Sequence, residues 1–234
     1  MSNTLSQKTV LLIGASRGLG LAMVEEYLKR GYHVIATGRA ASTDKLRDIA
    51  KASAGALEVE TVDVTVPQQV ADLRARLADR RVDVLFVNAG VTNDDRETIA
   101  DVSTEEFVRV MVTNSLSPMR VIDAFQDLVP PTGTIGVMSS GQGSLTNATN
   151  ANHEVYRGSK AALNMFMRTF AARSADSPRT LLLMAPGWVK TDMGGSTARL
   201  TIEESIPNLV NTIEAHEDRS GLHYLDYLGR VVPW

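Results

Sequence analysis

The chain has no cysteine among its 234 residues, which excludes disulfide staples and thiol chemistry and fits a reducing compartment. It has no basic block either: 24 Lys and Arg stand against 27 Asp and Glu, for a net charge of −3. The electrostatic footprint that nucleic acid requires is missing. No apolar run approaches the roughly 18 residues of a membrane-crossing helix. Only Lys8 precedes a short apolar run that ends in glycine, so the start reads as a strand and not as a secretion signal. The 4 histidines, His33, His153, His216 and His223, lack ligand spacing, and His153-Glu154 has no second histidine one helical turn on, so no metal site is expected. These absences leave a soluble, cytoplasmic protein with a small-molecule partner and no nucleic-acid or membrane partner as the expectation.

What is present is alternation. The runs Thr9–Ile13, Tyr32–Thr37, Leu57–Val62, Val82–Val87, Gly133–Met138 and Arg179–Met184 have the length and β-branched content of strands. Most are continuously apolar, as parallel strands covered on both faces are. Helical patterns fall between them, at Leu19–Arg30, Thr43–Ala52, Pro67–Arg80, Thr104–Leu128 and Glu154–Arg173. Met111, Met165, Met167 and Met184 lie in apolar segments and read as core filler. With no repeat or linker to divide the chain, the pattern predicts an α/β fold. Residues 1–234 form one Rossmann-type, doubly wound parallel sheet with helices on both faces, a single dinucleotide-binding and catalytic domain.

The segment Gly14-Ala15-Ser16-Arg17-Gly18-Leu19-Gly20 follows the first strand and opens the first helix. Glycines there let backbone N–H groups and the positive helix end approach a phosphate, although three glycines also suit a bare tight turn. Asn88-Ala89-Gly90 ends the fourth strand, which a doubly wound order sets beside the first, so both turns meet at one crevice. Where an NAD site usually carries an acid, Thr37-Gly38-Arg39 ends the second strand in an arginine. Arg39 and Arg17 could grip a 2′-phosphate, so the cofactor is predicted to be NADP(H); the alternative is two solvated surface charges. Asp63, followed by Val64, stands where an adenine amino group would lie, and Asp63 equally suits a turn cap.

In Tyr156-Arg157-Gly158-Ser159-Lys160 a phenol and an ammonium stand four residues apart, on one face of a helix. A phenol with pKa near 10 is a poor base at neutral pH, and lowering it by two to three units takes roughly 3 to 4 kcal/mol of preferential phenolate stabilisation. Lys160 is expected to contribute in that direction.

With the glycine turn, Asn88-Ala89-Gly90, Ser139-Ser140, Tyr156-x-x-x-Lys160 and Pro186-Gly187-Trp188-Val189 in this order, the chain resembles the short-chain dehydrogenase/reductase family over nearly its whole length. Its ending, from Pro186 to Trp234, is similar to the small carbonyl reductase branch with sniffer-like and C-factor-like proteins. The resemblance implies that Tyr156 is the acid/base, that Lys160 binds the nicotinamide ribose, and that Ser140, with Ser139 as its rival, positions the carbonyl oxygen. It implies that Asn114, in the long helix, holds a water behind Lys160 through its backbone. Pro186, Gly187, Val189 and Thr191 would meet the nicotinamide carboxamide. The implied activity is reversible NADPH-dependent reduction of an aldehyde or ketone; the alternative is an NADP(H)-binding signalling or regulatory protein with little turnover. A homodimer or homotetramer packed through Thr104–Leu128 and Glu154–Arg173 is also implied.

Three positions depart from the family pattern: Ile13, Val87, and the long interval between Ser140 and Tyr156. The extra residues, Gln142 to Asn152, read as a loop over the crevice, where Gln142, Asn147 and Asn150 either touch substrate or face solvent. Met193-Gly194-Gly195-Ser196 reads as a mobile lid with glycine hinges.

Overall fold

The computed structural model describes residues 7–234. In chain order it runs β1 (Thr9–Ile13), α1 (Gly18–Lys29), β2 (His33–Gly38), α2 (Asp44–Ala52), β3 (Leu57–Thr61), α3 (Pro67–Arg76) and β4 (Val84–Val87). It continues with α4 (Thr104–Met111), α5 (Ser117–Phe125), β5 (Thr134–Met138), α6 (Glu154–Arg173), β6 (Thr180–Ala185), α7 (Ile202–Ala215) and β7 (Gly221–Asp226). The strands form one 7-stranded sheet in the order β3-β2-β1-β4-β5-β6-β7, every neighbouring pair parallel.

Side-chain alternation along β1 explains why its sequence is apolar throughout. Val10 and Leu12 face the layer of Met23 and Tyr27 from α1 and Leu209 and Ile213 from α7. Leu11 and Ile13 face Ile122 and Phe125 from α5 and Leu163 and Met167 from α6. All of these side chains are fully buried. Each contributes roughly 1.5–3 kcal/mol by leaving water, so a polar residue anywhere in β1 would lose core on one face or the other.

The strand and helix expectations hold in kind, with four differences. The helix expected over 104–128 is interrupted: after α4 a π turn spans Val112–Leu116, closed by Ser117 N–H donating to the Val112 carbonyl, and a 3₁₀ turn at Gln126–Leu128 follows α5. The third helix stops at Arg76 instead of Arg80. The sequence reading also missed α7 and β7. Helix α7 announces itself with a reciprocal cap, in which Thr201 Oγ1 accepts from Glu204 N–H and Glu204 Oε2 accepts from Thr201 N–H. Finally, Met165 is 61% exposed on α6 and is not core, whereas Met167 and Met184 are buried. Among the described residues no helix is long and apolar enough to cross a membrane.

Candidate active site

Strands β1 and β4 pair with Ile13 opposite Val87, so Gly14 and Asn88 leave the sheet side by side, where the order of strands changes direction. A crevice of about 980 Å³ opens there. Gly14 has φ +86°, and a Cβ on it would lie 2.7 Å from the Ala89 backbone. Its N–H donates to Thr37 Oγ1 (3.1 Å) and Ala15 N–H donates to the Thr37 carbonyl (2.7 Å), which ties the turn to the end of β2. At the start of α1, Arg17 makes no side-chain cap bond and no acidic residue occupies the first turn. The leading N–H groups of the helix therefore face the crevice with no side-chain acceptor, which fits a dinucleotide phosphate. Gly14, Ser16, Arg17, Gly18 and Leu19 line the crevice. Gly20 does not: a Cβ there would lie 2.3 Å from the Gly14 carbonyl and 2.6 Å from Asn88 Nδ2, which itself donates to that carbonyl at 2.7 Å. Its part is to let α1 pack on the turn, a correction to its expected place among the phosphate contacts.

At the far end of the crevice stand Arg39, Asp63 and Val64. Asp63 Oδ1 accepts from Thr65 N–H (2.9 Å) and from Thr65 Oγ1 (2.6 Å); the Thr65 hydroxyl first, with help from Arg39, holds the carboxyl below its ordinary range. It thus makes a turn and lines the site at once. Arg17 reaches Asp192 across the mouth at 3.2 Å, with both side chains mostly exposed, 67% and 82%. Such a pair is weak and leaves the guanidinium available to a competing anion.

The opposite wall is α6. Lys160 is 3% exposed, donates to the Met138 carbonyl at 2.9 Å and lies 5.8 Å from the centroid of the Tyr156 ring. Burial brings its pKa down to about 8. Tyr156 is pushed up to about 12, again by burial, and the neighbour that pulls it back is the Ser140 hydroxyl. Within the protein burial outweighs the Ser140 hydroxyl, and the Lys160 ammonium, 5.8 Å from the ring centroid, stands where it can favour the phenolate. Ser139 and Ser140 also part company. Ser139 is buried and its hydroxyl donates to Asn164 Oδ1 at 2.6 Å, while Ser140 Oγ stands at the crevice and accepts from Gln142 N–H at 3.1 Å.

Asn114 is fully buried inside the π turn and does not line the crevice. Its Oδ1 accepts from Val91 N–H (2.8 Å), and its Nδ2 donates to the Val91 carbonyl (2.8 Å) and to Ser159 Oγ (2.9 Å). It clamps the floor at Gly90, where a Cβ would come within 3.5 Å of Asn114 Oδ1 and 3.6 Å of Lys160 Nζ. Asn88, Ala89 and Gly90 line that floor, with Pro186, Gly187, Val189 and Thr191 opposite.

The segment expected to be a hinged lid is cross-braced. Trp188 Nε1–H donates to the Gly194 carbonyl (2.8 Å), Gly194 N–H donates to Thr191 Oγ1 (3.1 Å), and a bridge pairs Val189 with Leu200. Of the loop polars, Gln142 and Asn147 line the crevice, whereas the Asn150 carbonyl holds Arg157 Nη1–H at 2.9 Å and Asn150 does not line it. Residues missed from sequence include His153, Asp226, Tyr227, Arg230 and Val232, which also line it. Most of these belong to β7 and the segment after it, whose short Gly-to-Asp alternation was its only local signal. Among the described residues no cluster of three or more His, Asp or Glu could hold a metal ion.

The fold is matched in known proteins. A short-chain dehydrogenase/reductase from Burkholderia multivorans, solved with bound NADP, is 53% identical, with a TM-score of 0.96 over 97% of this chain and 100% of that one. The carbonyl reductase Sniffer of Drosophila melanogaster is 28% identical, with a TM-score of 0.87 over 97% and 100%. The C-signal protein of Myxococcus xanthus is 34% identical over 155 residues, 65% of this chain and 93% of that protein. The model of the short chain dehydrogenase family matches residues 8–200, and the chain belongs to that family.

Proposed function

We propose that this chain reduces an aldehyde or ketone to the alcohol, reversibly and at the expense of NADPH, with residues 1–234 working as one dinucleotide-binding and catalytic domain. The observation that carries the reading is that Ser140, Tyr156 and Lys160 reach the same crevice as the glycine turn. NADP in the Burkholderia relative, together with Arg17 and Arg39 at the crevice and no acid in Thr37-Gly38-Arg39 at the end of β2, supports NADP(H) over NAD(H).

A reduced nicotinamide bound in this crevice supplies the hydride to the carbonyl carbon. Tyr156 donates its phenolic proton to the oxygen, and with a pKa near 12 it is fully protonated at neutral pH, as the reductive direction requires. Ser140 donates its one hydrogen bond to the same oxygen as charge grows on it. Lys160, fixed at the Met138 carbonyl, holds the nicotinamide ribose and sets a cation beside the phenolate. Asn114 keeps Gly90 and Lys160 in register. In the oxidative direction Tyr156 must first lose its proton, so alcohol oxidation rises with pH towards the phenol pKa.

NADPH consumption followed against a panel of aldehydes and ketones tests the reading. Carbonyl-dependent oxidation of NADPH is the expected result. Tight NADPH binding without turnover of any carbonyl would favour the signalling or regulatory alternative. The lack of cysteine supports a cytoplasmic location, and the exposed Phe107, Val108, Met165 and Phe166 on α4 and α6 support a homo-oligomer packed through those helices.

A further inference from the structure

We propose that Tyr224 of β7 is a positioning residue for the reaction: its hydroxyl donates to the Ser140 carbonyl and so aims the Ser140 side chain at the substrate oxygen. The inference rests on the function proposed above and extends it to a part of the chain that carries no recognisable motif.

The segment Met138–Gly143 leaves the tip of β5 and carries Ser140 in extended backbone, φ −162° and ψ 147°. Its polar groups are gripped one after another. Lys160 holds the Met138 carbonyl at 2.9 Å, Asn164 holds the Ser139 hydroxyl at 2.6 Å, and Asn164 Nδ2 donates to the Gly143 carbonyl at 3.1 Å. These three grips all come from α6. The fourth, on the Ser140 carbonyl itself, comes from a different element, Tyr224 of the outer strand β7, whose ring packs in the same layer as α6. A segment held by one element only could shift, whereas grips from two elements fix the peptide that carries Ser140, and the Gln142 N–H at 3.1 Å then sets its hydroxyl.

Tyr224 is itself immobilised. It is 3% exposed, and its ring lies 5.3 Å from that of Trp234, over which the Arg168 guanidinium sits at 4.7 Å. The Trp234 carbonyl accepts from both Thr146 N–H (3.0 Å) and Thr146 Oγ1 (2.6 Å). Residues Tyr224 to Trp234 therefore hold the loop over the crevice at two points, Ser140 and Thr146. That gives the extra length of this loop, the main departure from the family spacing, a fixed anchor.

The titratable groups bearing on the Tyr156 phenol are Lys160 on its own helix and Tyr224 from β7. Tyr224→Phe keeps the ring and its packing and removes only the hydroxyl. The expected result is a fall in kcat of about ten-fold, the scale of one neutral hydrogen bond, with NADPH affinity unchanged. In a Ser140→Ala background the same substitution should not lower kcat further, since Tyr224 acts through Ser140. Unchanged kcat in Tyr224→Phe, or a full ten-fold loss on top of Ser140→Ala, would overturn the inference. Failure of the wild-type protein to reduce any carbonyl would instead strike the proposed function.

Discussion

On the β1 side of the crevice the groups that would meet the cofactor are mostly backbone: the Gly14–Leu19 turn, the first N–H groups of α1, and glycines that leave room for them. On the α6 side they are side chains, Tyr156 and Lys160, whose pKa values burial has displaced in opposite directions. The first wall depends on shape and fails by steric intrusion. The second depends on charge held out of water and is stabilised less by the protein than its buried neighbours are. Binding and chemistry can therefore be broken separately, and the catalytic wall should carry a stability penalty that the binding wall lacks.

Lys160→Met should sharpen that contrast most. It removes the cation at the ribose and phenol, so turnover should fall by about a hundred-fold or more. The folded pKa of Lys160, about 8, lies below its ordinary 10.5. The unfolded chain therefore binds this proton more tightly, and the group opposes folding most below pH 8, by about 3 kcal/mol. That penalty fades as pH rises from 8 to 10.5. Tyr156 has the other sign: its raised pKa favours folding below pH 10, and the benefit is lost as pH climbs from 10 to 12. Allowing about 1 kcal/mol for the lost bond to Met138, Lys160→Met should be more stable than wild type at pH 7 by about 2 kcal/mol. Denaturant titrations at pH 7 and pH 10 check this, with a smaller gain expected at pH 10. A destabilised variant at pH 7 would break the comparison.

Gly14→Ala tests the other wall. With φ +86° and a Cβ 2.7 Å from the Ala89 backbone, the substitution forces the turn against β4. Strain of about 1–3 kcal/mol predicts a 10- to 100-fold loss of NADPH affinity, read by fluorescence titration. Turnover extrapolated to saturating cofactor should change far less. Arg39→Asp should have the smallest effect, about ten-fold against NADPH with little change for NADH, compared through kcat/KM for the two cofactors.

How much of this was legible follows the range of the forces. The glycine turn, Asn88-Ala89-Gly90 and Tyr156-x-x-x-Lys160 could be read because each works through neighbours in sequence, and α6 has the ends the pattern gave it, Glu154 and Arg173. The π turn around Asn114 could not, since a widened turn answers to the Val91 backbone and to Ser159, which lie far off along the chain. The burial of the Tyr156 phenol was out of reach for the same reason: two residues at i and i+4 reveal a nearby cation, but desolvation is made by the whole fold. The cap at Thr201–Glu204 was readable and would have located α7.

The most direct measurement of the central claim is a paired assay of wild type and Tyr156→Phe, recording NADPH affinity and carbonyl reduction on the same preparations. The account predicts unchanged affinity and a rate lower by about 10²- to 10⁴-fold, because only the proton donor has been removed. A Tyr156→Phe protein that binds NADPH and reduces carbonyls at close to the wild-type rate would contradict it.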